Sequence, residues 1–462
     1  MSQVMDWNKL LSKTRLGENL KPKNELTGFK EIVTRSAFER DYDRIIFSSA
    51  FRRLQDKAQV FPLAENDYIR TRLTHSLESA SVGRSLGFLA GVFICDKFKL
   101  QNMFANEIGS VVSAACLAHD IGNSPLGHSG EEAVRHWFST SKVAQDMRLE
   151  MSENEINDIL YYEGNAQGFR VLTKLQMPDN IGGMQLCAAT LGSFLKYPCF
   201  SSSASFGYGG NNQKFSVFKS EQEFFIELAE HLNLVRFSDD CYCRHPLAFL
   251  VEAADDICYR IIDFEDAYSL KIIDYEMVYD SFNDIIQDTS IDNRLVHFSS
   301  RDQRVEYLRA RVLNVLVEQC SKVFEENIDD IMRGDFTEDI TKLIPSSDPL
   351  KAIYDYSKEN IYTDRRAVDI NVAGFELTTN LLDIFMTAVN DYATAKVESE
   401  KPNFYTKTLL HLIPQKYRVE SEEWFESSYI RLMNIIDFIS GMTDSYAVSI
   451  YKKVKGISIS KN

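Results

Sequence analysis

Apolar residues recur along this chain at helical rather than strand spacing. Leu77, Ala80, Val82, Leu86, Leu89, Ala90 and Phe93 follow at intervals near three and four, and so do Phe224, Phe225, Leu228 and Leu232. That spacing lines one face of an α-helix. Long polar–apolar alternation of the strand type is scarce. Ten prolines in 462 residues leave room for long helices, since each proline removes a helical donor and clashes with the preceding turn. No internal repeat of fixed period is present. The pattern predicts an all-α fold. One stretch breaks it: Ser201 to Asn212 is rich in Ser, Gly and Asn and reads as a flexible loop or the tip of a short β-hairpin.

Hydrophobic residues at 44% and charged residues at 26% are ordinary for a globular protein, and a chain of this length can bury a large core. The formal net charge of -16 changes the picture. A polyanionic substrate must then meet a local basic pocket in an acidic body, and a wide nucleic-acid-binding face is not indicated. Met1 to Leu20 carries Asp6, Lys9, Lys13, Arg15 and Glu18 and has no apolar signal-peptide core. The longest apolar run, Leu86 to Cys95, is about half of the roughly 20 residues a membrane helix needs. A cytoplasmic protein without a membrane partner is expected. The eight cysteines are scattered and read as small buried thiols of a reducing compartment. Cys241, Cys243 and His245 lack the second ligand pair of a zinc site.

Three distant segments carry candidate chemistry. The apolar run Ala114 to Ala118 ends at His119-Asp120, and Gly122, Asn123, Pro125 and Gly127 then break the helix. A buried His and Asp side by side need a partner. Upstream, Arg72 and His75 are three apart and share a helical face. Downstream, Asp255, Tyr259 and Asp263 step by four along a helical stretch, and helical phase leaves Asp255 and Asp256 open as ligands. Imidazoles with carboxylates make a mixed N/O shell suited to Mn, Mg, Fe, Co or Ni. His128 and Glu131, three apart after the helix break, suit a proton-handling pair. The plainer reading of His128 is a loop histidine bonded to backbone.

These residues resemble the H…HD…D pattern of the HD phosphohydrolase superfamily. The resemblance sharpens in Arg52 to Phe61, Arg70 to Glu78, His119 to Glu131, Tyr162 to Arg170, the Asp255-Asp256 block and Ile439-Ser440-Gly441-Met442-Thr443-Asp444. Together they are similar to the dGTP triphosphohydrolase (dGTPase) family over about Arg40 to Tyr446. The resemblance implies an all-α fold: an HD-domain helical core with additional helices and at most a small β-hairpin insertion. It implies cleavage of a deoxynucleoside triphosphate, dGTP first and other dNTPs close behind, to the deoxynucleoside and inorganic triphosphate. It implies a homo-oligomer, tetramer or hexamer, and admits a dNTP as activator.

Residue by residue, the resemblance implies that His75, His119, Asp120 and Asp255 hold a divalent metal, Mg or Mn before Co, Ni or Fe. It picks the first aspartate of the pair. Arg72, Asn165, Lys196, Tyr197 and Lys214 would face the triphosphate, with the Ser/Gly/Asn loop between the two lysines closing over it. That loop departs from the family by its length and its Gly-Tyr-Gly-Gly content. Gln59 and Asp263 would bond the sugar 3′-hydroxyl, and Tyr259 would fill the space of a 2′-hydroxyl. His128 and Glu131 would be catalytic. The expected organisation is an N-terminal segment over 1–33, a catalytic core over 34–270 that includes the loop near 198–213, and a C-terminal helical region over 271–462 packed on the core and completing the site. The rival readings are an HD-type phosphatase or phosphodiesterase of other specificity, a non-catalytic nucleotide sensor, and a nucleic-acid-binding module.

Overall fold

The computed structural model describes residues 4–17, 35–61, 69–203, 214–418 and 421–457. The fold is all-α, and the sheet among the described residues is a single antiparallel pair, β1 (Arg236–Ser238) with β2 (Cys241–Tyr242). Ten helices matter for the site. They are α1 (Ala37–Ile46), α2 (Arg72–Lys97), α3 (Ala105–Ala118), α4 (His128–Thr140), α5 (Gly164–Arg170), α6 (Ala248–Ser269), α7 (Arg301–Glu326), α8 (Arg365–Val397), α9 (Ser428–Ser440) and α10 (Asp444–Val454). The small hairpin sits at 236–242, turning at Asp239-Asp240. Of the loop expected near 198–213, residues 204–213 lie outside the described residues.

The centre of the fold is the contact of α2 with α3. Nearly every residue of α3 from Glu107 to Ala118 is buried, as an apolar helix without a polar face must be. On α2, glycines at 83, 87 and 91 step by four and present a flat strip. A Cβ on Gly87 would meet the Gly109 Cα at 2.9 Å and the Val112 Cγ2 at 2.9 Å. The two backbones can therefore run this close only because the side chain is missing. The same approach brings the N-terminal turn of α2 beside the C-terminal end of α3, where His75 and His119 sit. Thr71 fixes where α2 starts: its side chain accepts from Thr74 N–H while the Thr74 hydroxyl accepts from Thr71 N–H.

Two apolar clusters fill the molecule. The larger gathers α1, α2, α3, α6 and α7. The smaller gathers α4, α8, α9 and α10 around Trp137, Phe138, Phe385, Ile436 and Ile439. Helices α2 and α8 are long and apolar enough to resemble membrane spans, with 44% and 50% of the relevant windows buried inside the fold. One packs on α3 and the other on α4 and α9. The N-terminal residues dock on the larger cluster through Trp7 and Leu10. There His245, buried and neutral, donates from Nε2 to the Leu10 carbonyl and accepts at Nδ1 from Leu247 N–H. The expectation of free thiols needs correction at one place: Cys199 and Cys241 are joined in a disulfide. The main chain around Cys199 pairs with β2, which brings two cysteines 42 residues apart directly opposite each other. The other six cysteines are free.

Substituting Gly87→Ala forces the α2 and α3 backbones apart. Overpacking of this kind costs about 1–3 kcal/mol, so urea unfolding should show a lower midpoint. An unchanged midpoint would contradict the close approach.

Candidate active site

Helix α2 delivers His75 from its first turn, α3 delivers His119 at its C-terminal end, and α6 delivers Asp255 from its middle. His75 Nε2 lies 3.1 Å and His119 Nε2 3.4 Å from Asp255 Oδ1. One ligand atom from each of the three residues lies within 4.8 Å of the others. Donors about 2.1 Å from one ion stand about 3.0–3.4 Å apart, so these three fit a single divalent cation. His119 Nδ1 is 2.6 Å from the Cys116 carbonyl. A carbonyl only accepts, so Nδ1 carries the hydrogen and Nε2 is left to bind. Burial opposes charge on His119, but Asp120 and Asp255 outweigh it and raise its pKa to about 9. Burial likewise opposes charge on Asp255, and the two imidazoles hold its carboxyl well below the usual range.

Asp120 stands at the edge of this set. Its Oδ1 is 3.6 Å from His119 Nε2 and accepts from Asn123 Nδ2, while its Oδ2 accepts from Arg72 at 2.9 Å. Asp256 points elsewhere, to Arg260 at 2.8 Å and to the Thr341 hydroxyl at 2.7 Å.

The floor opens into a cleft of about 640 Å³, within the ~300–1,000 Å³ range of ligand pockets. His128 begins α4 and projects into it, with 80% of its side chain accessible, and Glu131 lies behind at 4%. His128 Nδ1 and Glu131 Oε2 are 3.6 Å apart. The carboxylate raises the pKa of His128. Burial opposes charge on Glu131, but His128 and Lys214 outweigh it and lower its pKa.

Lys196, Tyr197, Lys214, Asn165 and Arg72 all line the cleft. Each cation among them has a carboxylate partner. Lys214 donates to Glu163 at 2.6 Å, Lys196 lies 3.4 Å from Glu252, and Arg72 donates to Asp120. Asn165 also donates to Glu163, at 2.9 Å. Gln59 and Tyr259 also line the cleft, and Gln59 Oε1 is buried without a hydrogen-bond partner among the described residues. Asp263 does not line the cleft. It accepts at 3.1 Å from the hydroxyl of Tyr362, and that tyrosine, its ring 5.6 Å from the Tyr259 ring, meets the cleft instead.

No family model matches the chain. Whole proteins do match it. It is 37% identical to a deoxyguanosinetriphosphate triphosphohydrolase-like protein of Synechocystis sp., over 98% of this chain and 100% of the relative. It is 36% identical to one of Pseudomonas aeruginosa, over 98% and 99%. A deoxyguanosinetriphosphate triphosphohydrolase of Cronobacter sakazakii is 31% identical, over 91% of this chain and 94% of the relative. The chain belongs to the deoxyguanosinetriphosphate triphosphohydrolase family. It is therefore a hydrolase, and the cleft holds the residue types hydrolysis of a charged phosphoester needs.

Several residues that line or border the cleft carry no motif of their own in the sequence. Glu163 and Glu252 hold the two lysines. Glu252 had a signal, since it lies three before Asp255 on the same helical face. Tyr362, Tyr354, Ile370 and Asn371 arrive from beyond residue 350, at a sequence distance no spacing rule reaches.

The raised pKa of His119 has a measurable consequence. Below about pH 9 the imidazole carries a proton that a cation must displace, so Mn binding at pH 7 should release about one proton and tighten as pH rises. Calorimetry in two buffers of different ionisation heat measures this; no proton release would contradict the ligand geometry.

Proposed function

We propose that this protein hydrolyses a deoxynucleoside triphosphate, dGTP first and other dNTPs after it, to the deoxynucleoside and inorganic triphosphate, with Mn or Mg bound. The observation that carries the reading is the convergence of His75, His119 and Asp255 within 4.8 Å at the floor of one cleft, beside the His128–Glu131 pair. The names of the full-length relatives supply the substrate class. Asp120 would be the fourth ligand, through the oxygen nearest His119. A divalent ion held there offsets part of the triphosphate charge and polarises the α-phosphate.

The chain's own groups do the rest. Lys196, Lys214, Arg72, Asn165 and Tyr197 bind the triphosphate, and the three cations exchange their carboxylate partners for phosphate oxygens. Such a displacement is catalysed mainly by positioning and charge stabilisation. His128 holds or passes a proton at the reacting centre, and Glu131 fixes its orientation and favours its charged form. Gln59 offers its unpaired oxygen to the sugar 3′-hydroxyl. Asp263 acts on the same hydroxyl by way of the Tyr362 hydroxyl it holds. Tyr259 packs where a ribose 2′-hydroxyl would project, which excludes ribonucleotides by contact. In this reading 34–270 is the catalytic core, and 271–462 completes the cleft through Tyr354, Tyr362 and Asn371. The family resemblance further implies a homo-oligomer, tetramer or hexamer, and a dNTP activator, and the cytoplasmic location expected from the N-terminal segment and the short apolar runs accords with it.

Incubation with each dNTP and NTP plus Mn or Mg, followed by chromatography, tests the reaction. The expected products are deoxynucleoside and triphosphate, fastest from dGTP. Orthophosphate or pyrophosphate would point to another phosphohydrolase, and no turnover to a sensor. Tyr259→Ala should admit GTP, raising its kcat/KM by about 10- to 100-fold, the range a single group's contact controls. Continued exclusion of GTP would place the sugar gate elsewhere.

A further inference from the structure

The run Ile439-Ser440-Gly441-Met442-Thr443-Asp444 contributes no lining to the cleft, yet it grips the cleft's walls from behind. Helix α9 ends at Ser440 and α10 begins at Asp444, capped by the Thr443 side chain. The Asp444 side chain is buried. Its Oδ2 accepts from Ala58 N–H at 2.8 Å, and its Oδ1 accepts from Leu126 N–H at 2.8 Å. Ala58 immediately precedes Gln59. Leu126 lies two residues before His128. One carboxylate thus pins two segments that line the cleft side by side, although its partners stand 386 and 318 positions away along the chain.

The backbone at Leu126 gives this grip a purpose. Leu126 has φ +58° and Gly127 φ +76°. Two successive left-handed residues, one of them not glycine, persist only where the surroundings dictate them. The Leu126 amide, fixed by Asp444, is the donor at the start of that turn, and the turn decides where α4 starts and where His128 points. A charged acceptor makes each of these bonds stronger than a neutral one. Lys57, next to Ala58, supports the same arrangement. Its buried ammonium donates to the Ser440 carbonyl at 2.8 Å and to the Asn123 carbonyl, and its own carbonyl accepts from Arg72 N–H at 3.0 Å.

We propose that Asp444 is a positioning residue for the reaction: its carboxylate holds the left-handed Leu126–Gly127 turn that aims His128 into the cleft, and with its other oxygen the neighbouring Ala58–Gln59 segment. The proposal rests on the reading of His128 as the proton-handling group. Asp444 touches neither substrate nor ion. It acts through His128 on the rate and through Gln59 on binding.

A double-mutant cycle separates this from a merely structural role. The variants Asp444→Ala, Asp444→Asn, His128→Ala and the double Asp444→Ala/His128→Ala are assayed on dGTP with Mn, with Mn affinity and thermal midpoint measured alongside. Asp444→Ala should lower kcat about 10- to 100-fold and raise KM, with Mn affinity kept. Asp444→Asn retains one acceptor oxygen and should recover part of the rate. In the His128→Ala background, Asp444→Ala should lower kcat no further while still raising KM, because the group it aims is gone. An equal fall in kcat in both backgrounds would overturn the proposal, as would full activity of Asp444→Ala beside a crippled His128→Ala. Full activity of His128→Ala would instead remove the reading of His128 itself. Should Asp444→Ala not fold, Asp444→Asn carries the same cycle with smaller steps and the same criterion.

Discussion

Two carboxylates, Asp120 and Asp255, lie close to the His119 ring, the first buried and the second with 31% of its side chain accessible. Buried charge of one sign is costly unless opposite charge stands within a few ångströms. Arg72 answers Asp120, and the imidazoles of His75 and His119 answer Asp255. A proton on His119 completes the balance, and Asp120 and Asp255 raise its pKa to about 9 against the effect of burial. The placement of the surrounding helices serves this cluster. The glycine strip of α2 lets α3 come close enough to set the two imidazole rings 5.2 Å apart, and α6 crosses both to deliver the carboxylate.

The cleft above the cluster applies the same rule on a larger scale. An acidic chain keeps the cations of its cleft without burying them alone. Glu163 and Glu252 hold Lys214 and Lys196 in place. The two glutamates are buried while the lysine ends remain partly accessible, so the lysines are positioned and still within reach of the cleft. The second apolar cluster matters because the helix that carries His128 and Glu131 packs in it. Helices α4 and α8 rest on it, and at the junction of α9 and α10 Asp444 accepts from the backbone amides of Ala58 and Leu126, two segments that line the cleft.

The helical character was legible because apolar residues repeat near 3.6, and the His119-Asp120 corner because an apolar run ends in two polar residues before a string of glycine, asparagine and proline. Depth was not legible. Asp263 shares a helical face with Asp255 and Tyr259, but phase gives direction only. Four residues along α6 carry it about 6 Å further, where Tyr362 covers it. Ion-pair partners were not legible either, since Lys214 and Glu163 meet across 51 residues by virtue of the fold. Nor was the Cys199–Cys241 pairing, because cysteine spacing does not say which chain segments lie side by side. The Asp444 run stood out in the sequence by resemblance alone. Its purpose became visible only in the two amides its carboxylate holds.

The central claim is that one cation binds between His75, His119 and Asp255. Anomalous diffraction from Mn-soaked crystals, recorded at the manganese edge, measures this directly. The account predicts one strong peak about 2.1 Å from both histidine Nε2 atoms and an Asp255 oxygen. A peak elsewhere in the molecule, or none at saturating Mn, would contradict it.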